Sequence, residues 1–168
     1  MITPEYLKTM SRYNAWQNVS LYDAADALSD LERRKDRGAI FKSIHQTLCH
    51  LLWGDQIWMN RFADTSLPIV SSVAESVSMI EDWDTLKSER KTMDSTISKW
   101  SESVSQAYLD AQTSWYSGSQ KRDLVSNNGG LVVHMFNHQT HHRGQVHAML
   151  TAAGAEPDDT DLFIMQFR

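Results

Sequence analysis

The chain has 168 residues, a formal net charge of −5 and a sequence pI near 5.7. Its single cysteine, Cys49, excludes an internal disulfide, the acidic balance argues against nucleic acid as a partner, and no stretch nears the roughly 20 apolar residues that cross a bilayer. The opening MITPEYLKTMSRYNAW lacks a basic segment followed by an apolar run, so residues 1–168 are expected to form one cytoplasmic domain without membrane contact.

Seven glycines and three prolines favour long helices with few turns. Thr3-Pro4-Glu5 is a helix start, Thr3 as cap and Pro4 in the first turn, and this helix is expected to run from residue 4 to about 29. Its inward stripe, Leu7, Met10, Asn14, Gln17 or Asn18, Leu21, Ala25 and Leu28, is apolar at both ends and amide in the middle. The basic run ERRKDR at 32–37 contains two acids and reads as solvated loop.

Residues 40 to about 64 are apolar over more than half the circumference, as a helix with several neighbours should be. His50 shares a side with Ser43, Thr47, Gly54 and Ile57, where small side chains leave room, while His45 points nearly opposite. After a Ser- and Val-rich loop at 65–75, residues 76 to about 110 carry Trp83, Leu86, Arg90, Met93, Ile97, Trp100, Val104 and Ala107 at three-four spacing. Arg90, the one charge on that seam, reads as snorkelling to the surface; the alternative is that it reaches a central polar site.

Residues 113–129 lose the helical period and read as an irregular excursion or a short hairpin around Ser117-Gly118. The last helix is expected after Gly129-Gly130, from Leu131 to about Ala153, with Gly154 as its stop. One face of it collects Leu131, Met135, His138, His142 and Met149, with His134 and Gln145 at the edge and His147 on the far side. The tail ends apolar and should pack back on the helices.

Residues four apart on a helix project one above the other, so His138 and His142 can present imidazoles to one point. A catalytic centre of the zinc type usually takes three protein donors, and the third must come from another helix. His50 suits the role by its height: His50, His138, His142, Asn14, Asn18 and Arg90 all sit near mid-helix, which suggests an enclosed polar layer. His141 as ligand or as a support behind the ligands, a His134–His138 pair, and a purely hydrogen-bonded histidine face remain open on spacing alone. Cys49 reads as a buried thiol rather than a ligand.

Three stretches resemble the DinB-like (DinB/YfiT-like) family of metal-dependent enzymes: YNAWQN at 13–18, TLCHLLWGDQIWMNRF at 47–62 and NHQTHHRGQVHAML at 137–150. The resemblance implies an all-α, up-down-down-up four-helix bundle, commonly a homodimer, with a three-donor metal centre whose ligands here would be His50, His138 and His142. It implies zinc or nickel, and relatives that use low-molecular-weight thiols as S-transferases or isomerases.

The expected chemistry is therefore activation of a small thiol or a water against a small-molecule substrate. Gln139-Thr140-His141 stands between the paired histidines where a zinc peptidase has a glutamate, which disfavours peptidase chemistry. Asn14, Asn18, His141 and Gln145 are candidates for orienting ligands or substrate, with hydrogen bonding across helices as the alternative for the two asparagines. Trp16 and Trp53 are read as core or cavity-mouth residues, and Asp55 and Arg143 as an ion pair or as contacts behind the ligands. A non-catalytic metal-binding or stress-response protein and a helical dimerisation module are the competing functions.

Overall fold

The computed structural model describes residues 2–118 and 120–167 and is mostly helical. Helix α1 (Pro4–Asp26) starts where the Thr3 hydroxyl accepts from the Tyr6 amide, as expected, and stops three residues short of 29. Ser29 caps a short helix, α2 (Asp30–Arg34). This corrects the reading of ERRKDR as solvated loop: Arg33 is buried, donates to the carbonyls of Ala25 and Leu28, and lies 4.6 Å above the Trp83 ring. Its stem packs along apolar surface, and the two carbonyls together with the attraction of the ring face compensate its head for the water it loses.

Helix α3 (Ile44–Ala63) is capped by Ser43 and ends at Asp64 in the left-handed region, φ 53°. The helix expected from 76 to 110 is in fact three pieces: α4 (Val73–Ser76), α5 (Trp83–Ser103) and α6 (Gln106–Asp110). The breaks have local causes. Ser72 and Glu75 form a capping box at α4, Asp82 caps α5 by accepting from the Thr85 amide, and Val104 is extended so that Ser105 can cap α6. The excursion is a hairpin, β1 (Gln112–Ser117) antiparallel to β2 (Arg122–Asn127), with Gln112 opposite Asn127 and Ser117 opposite Arg122. Helix α7 (Asn128–Ala152) begins at Asn128, ahead of the expected start at Leu131, because Asn127 caps it through the Gly130 amide.

Helix α1 packs on α5 and α7, and α3 packs on the same two. The tail returns to α1: Tyr13 donates to the Thr160 carbonyl, Gln17 to that of Asp159, and the Asp158 amide to Ser20 Oγ. A 3-10 helix, Leu162–Phe167, follows. Among the described residues no helix is long and apolar enough to cross a membrane.

The core is two apolar clusters, one around Leu21, Ile44, Leu48, Leu86 and Leu150, the other around Leu7, Met59, Ile97, Val132 and Phe136. Each long helix contributes to both clusters and is polar between them: Asn14, Gln17 and Asn18 on α1, His50 and Asp55 on α3, Arg90 on α5, and Gln139, His142 and Arg143 on α7 are all buried. These polar interruptions form a layer between the two cores, where every polar group needs a partner.

Candidate metal centre

Helices α3 and α7 bring His50, His138 and His142 together. One ligand nitrogen from each lies within 4.8 Å of the others, and the ring centroids are 4.5 to 5.3 Å apart. The Nε2 atoms of His50 and His138 are 3.3 Å apart. Two nitrogens bound tetrahedrally at about 2.0–2.1 Å would themselves stand about 3.3 Å apart, so this pair already has the spacing of one edge of such a shell. A three-imidazole donor set fits zinc, nickel and neighbouring divalent ions. The residues present can hold the ion.

The far side of two rings is fixed by hydrogen bonds. Ser76 Oγ donates to the Val73 carbonyl at 2.7 Å and lies 2.9 Å from His50 Nδ1. With its proton used, the hydroxyl accepts from Nδ1–H and leaves the Nε2 lone pair of His50 facing the cluster. Gln145 Oε1 accepts from His142 Nδ1 at 2.8 Å, with the same consequence, and the Gln145 amide donates onward to His141 Nε2 at 3.2 Å. Such partners set the tautomer and ring direction of a ligand histidine. His138 has no such anchor: its Nδ1 is buried without a hydrogen-bond partner, and its ring rests on Gly54.

Burial is the main reason that all three imidazoles are harder to protonate than usual, holding His50 down to about 4 and His138 to about 3, with the neighbouring histidines adding to both shifts. The lone pairs are therefore free at neutral pH. Phe41 and Trp53 enclose the His50 side, the Phe41 ring 4.0 Å from the His50 ring and 5.3 Å from His142, the Trp53 ring 5.6 Å from His50.

The DinB family model matches residues 1–167. The chain belongs to the DinB family. It is also similar to Protein DinB of Bacillus subtilis (strain 168), 26% identical over 161 residues that cover 90% of each chain. In this DinB family chain His141, His134 and His45 are not part of the three-donor group, although the His141 ring lies 4.8 Å from that of His142 and the His134 ring 6.3 Å from that of His138. His141 is exposed and meets Gln145; His134 is exposed and packs on Trp58 at 5.1 Å; His45 bonds the Ile80 carbonyl. Cys49 is a buried thiol that donates to the same carbonyl, and burial pushes its pKa up to about 11.

The expectation that Arg90 snorkels is overturned. It is buried in α5 and paired with Asp55 at 2.6 Å and Asp94 at 2.8 Å, because Asp55 of α3, itself fully buried, needs a cation on this level. Burial works against the Arg90 charge, but Asp94 and Asp55 hold its pKa above the usual value. The two asparagines hydrogen-bond across helices: Asn18 donates to Asp94 at 2.9 Å and Asn14 accepts from Arg143. Asp55 and Arg143 are not an ion pair with each other; Arg143 instead meets Gln139 and Thr140, and burial lowers its pKa to about 10. Trp16 lies by Leu162 and Phe163 of the tail, far in sequence from the Trp53 indole, which donates to the Val70 carbonyl.

Ser76 and Phe41 escape a sequence reading. The Ser72-x-x-Glu75 capping box marks where α4 begins, and so where Ser76 sits, but nothing in the pattern aims either side chain at His50.

Proposed function

We propose that this DinB family chain is a metal-dependent enzyme in which His50, His138 and His142 hold one divalent ion, zinc or nickel, and in which a low-molecular-weight thiol or a water is activated against a small-molecule substrate. The 3.3 Å approach of the His50 and His138 Nε2 atoms, with His50 turned inward by Ser76 and His142 by Gln145, carries this reading. When bound, such an ion lowers the pKa of a coordinated thiol or water and supplies a nucleophile near neutral pH. The protein's own part is to keep the imidazoles neutral by burial, to orient them, and to exclude water on the Phe41 and Trp53 side.

Transfer to or from a thiol is favoured over hydrolysis. Among the described residues, the charges that act on the three imidazoles come from one another and from His134 and His141, with no carboxylate among them. A hydrolase needs a general base within hydrogen-bond reach of its water; a thiolate does not. The same reading takes residues 1–168 as one unit in which α1, α3, α5 and α7 form an up-down-down-up four-helix bundle, working in the cytoplasm as a homodimer.

A non-catalytic metal-binding role is the second reading, and the Phe41 ring lying 4.0 Å over His50 favours it by covering one approach to the cluster. Metal content by mass spectrometry on untagged protein tests both. About one ion per chain, lost in His50→Ala and in His142→Ala, is the expected result, followed by turnover of small electrophiles with thiols by zinc- or nickel-loaded protein. Protein that stays metal-free after loading would remove both readings and leave a helical dimerisation module; metal without turnover would leave the second.

A further inference from the structure

We propose that the groove between α1 and α7 is a second ligand site, separate from the histidine cluster, that binds a small monocarboxylate against Arg143.

The polar layer contains two buried arginines with different surroundings. Arg90 has two carboxylates, Asp55 at 2.6 Å and Asp94 at 2.8 Å. Arg143 is only 5% exposed and meets neutral oxygens: Asn14 Oδ1, Gln139 Oε1 at 3.3 Å and Thr140 Oγ1 at 3.3 Å. Among the described residues no carboxylate pairs with it. Asp55 and Asp94 act on its charge only at longer range, with Arg90 opposing them; a buried cation without a counter-charge in contact is costly, and a protein that keeps one has a use for an anion beside it. Of the five N–H groups on a guanidinium, these oxygens take three, which leaves an edge of the fork for a planar, two-oxygen acceptor. A carboxylate matches that edge.

The space is present. Arg143 lines a cavity of about 510 Å³ together with Tyr13, Gln17, Gly144, Ala148 and His147, a volume within the range of small-molecule sites. Its walls are fixed before any ligand arrives. Tyr13 is tied to the Thr160 carbonyl at 2.6 Å and Gln17 to the Asp159 carbonyl at 2.8 Å, while the guanidinium carbon stands 5.7 Å above the Tyr13 ring. Gly144 and Ala148 keep one wall low: both are exposed, and a Cβ at Gly144 would meet nothing within 4 Å. None of the three clustered histidines lines this cavity.

The charge of the ligand is also constrained. Asp161 is close enough to act on the Tyr13 hydroxyl electrostatically, so beside Tyr13 a dianion such as phosphate meets more repulsion than a singly charged carboxylate. The apolar side chain of Leu21 on the lining suits a short alkyl tail.

Calorimetric titration with butyrate, with butyramide as the neutral isostere and inorganic phosphate as the dianion, tests the site on metal-loaded and on chelator-treated protein. Saturable butyrate binding is expected in both preparations, at least tenfold tighter than butyramide or phosphate. Arg143→Lys and Ala148→Phe should each weaken it at least tenfold; the second acts from an exposed position, so its circular dichroism should match wild type even if Arg143→Lys unfolds. Absence of saturable butyrate binding, equal affinity for butyramide, or full affinity in Ala148→Phe would overturn the proposal. So would binding that appears only in metal-loaded protein, which would place the carboxylate at the histidine cluster.

Discussion

Gly54 and the His138 ring are in contact: a Cβ at residue 54 would stand 2.9 Å from Cε1 and 3.4 Å from Nδ1. The imidazole is the mobile end of its side chain, so it would yield before the α3 backbone did. Because His138 has no hydrogen bond behind it, this packing is what holds its Nε2 at 3.3 Å from His50. Gly54→Ala is therefore expected to weaken metal binding by about tenfold, the lower end of what losing a ligand's support costs. Folding stability should stay within about 1 kcal/mol of wild type, since alanine is the better helix former by about that amount. Competition with a chromophoric chelator, beside a urea titration, reads both. Unchanged affinity would show that Gly54 does not set the ring's position.

Ser76 and Gln145 are expected to matter through the ring nitrogens they hold. Ser76→Ala removes the acceptor for His50 Nδ1–H in a buried site, and an unpaired buried donor costs about 1–3 kcal/mol. Metal affinity should fall about 10–100-fold. Gln145→Leu should act likewise on His142, while Gln145→Glu, which supplies a charged acceptor, should bind metal at least as tightly as wild type. Equal affinities across the three variants would argue against the assigned tautomers.

The Asp55–Arg90 pair predicts an asymmetry between single and double substitution. Arg90→Met leaves Asp55 fully buried without its cation and should cost about 3–5 kcal/mol in urea unfolding. Adding Asp55→Leu removes the stranded charge, so the double variant should be more stable than the single one. A double variant no better than Arg90→Met would mean that the pair is not the reason for the loss.

The three clustered histidines were legible because the facts that place them are helical. A four-residue step stacks His138 on His142, and similar helix lengths put His50 at the same height. The coincidence of polar residues at mid-helix was legible for the same reason, and it became the layer between two apolar clusters. What helical period does not encode is which residue faces which across a helix pair. Arg90 read as a surface residue because its partner Asp55 lies 35 positions away on α3. Phe41 and Ser76 reach His50 from a tight turn, where Lys42 takes φ 60°, and from a four-residue helix. Arg33 read as loop because the Trp83 ring that covers it lies 50 residues on. The end of α5 turns on one extended residue, Val104, whose apolar side chain continues the helical spacing while its backbone leaves it.

Asp26, the last residue of α1, accepts from Trp83 Nε1 at 2.6 Å and from Lys87 Nζ at 2.9 and 3.0 Å, joining the end of α1 to the start of α5. The Trp83 hydrogen bond, opposed by burial and helped by the Lys87 hydrogen bond and by the charges of Lys87 and Arg33, holds its carboxyl below the usual 3.8. Near pH 4 the unfolded chain therefore binds more protons at this position than the folded one, and stability rises with pH there. The contribution is complete above the unfolded pKa of about 3.9 and is lost as pH falls through the lower folded value. In Asp26→Asn the side-chain oxygen can still accept from Trp83, so the variant isolates the charge. It should unfold at lower urea than wild type at pH 7, with a gap that narrows below about pH 4 and closes at the acid end. The pair is partly exposed, so about 0.5 M salt should also shrink the gap at pH 7. A gap that stays constant from pH 6 to pH 2 would assign the effect of Asp26 to packing rather than to its charge.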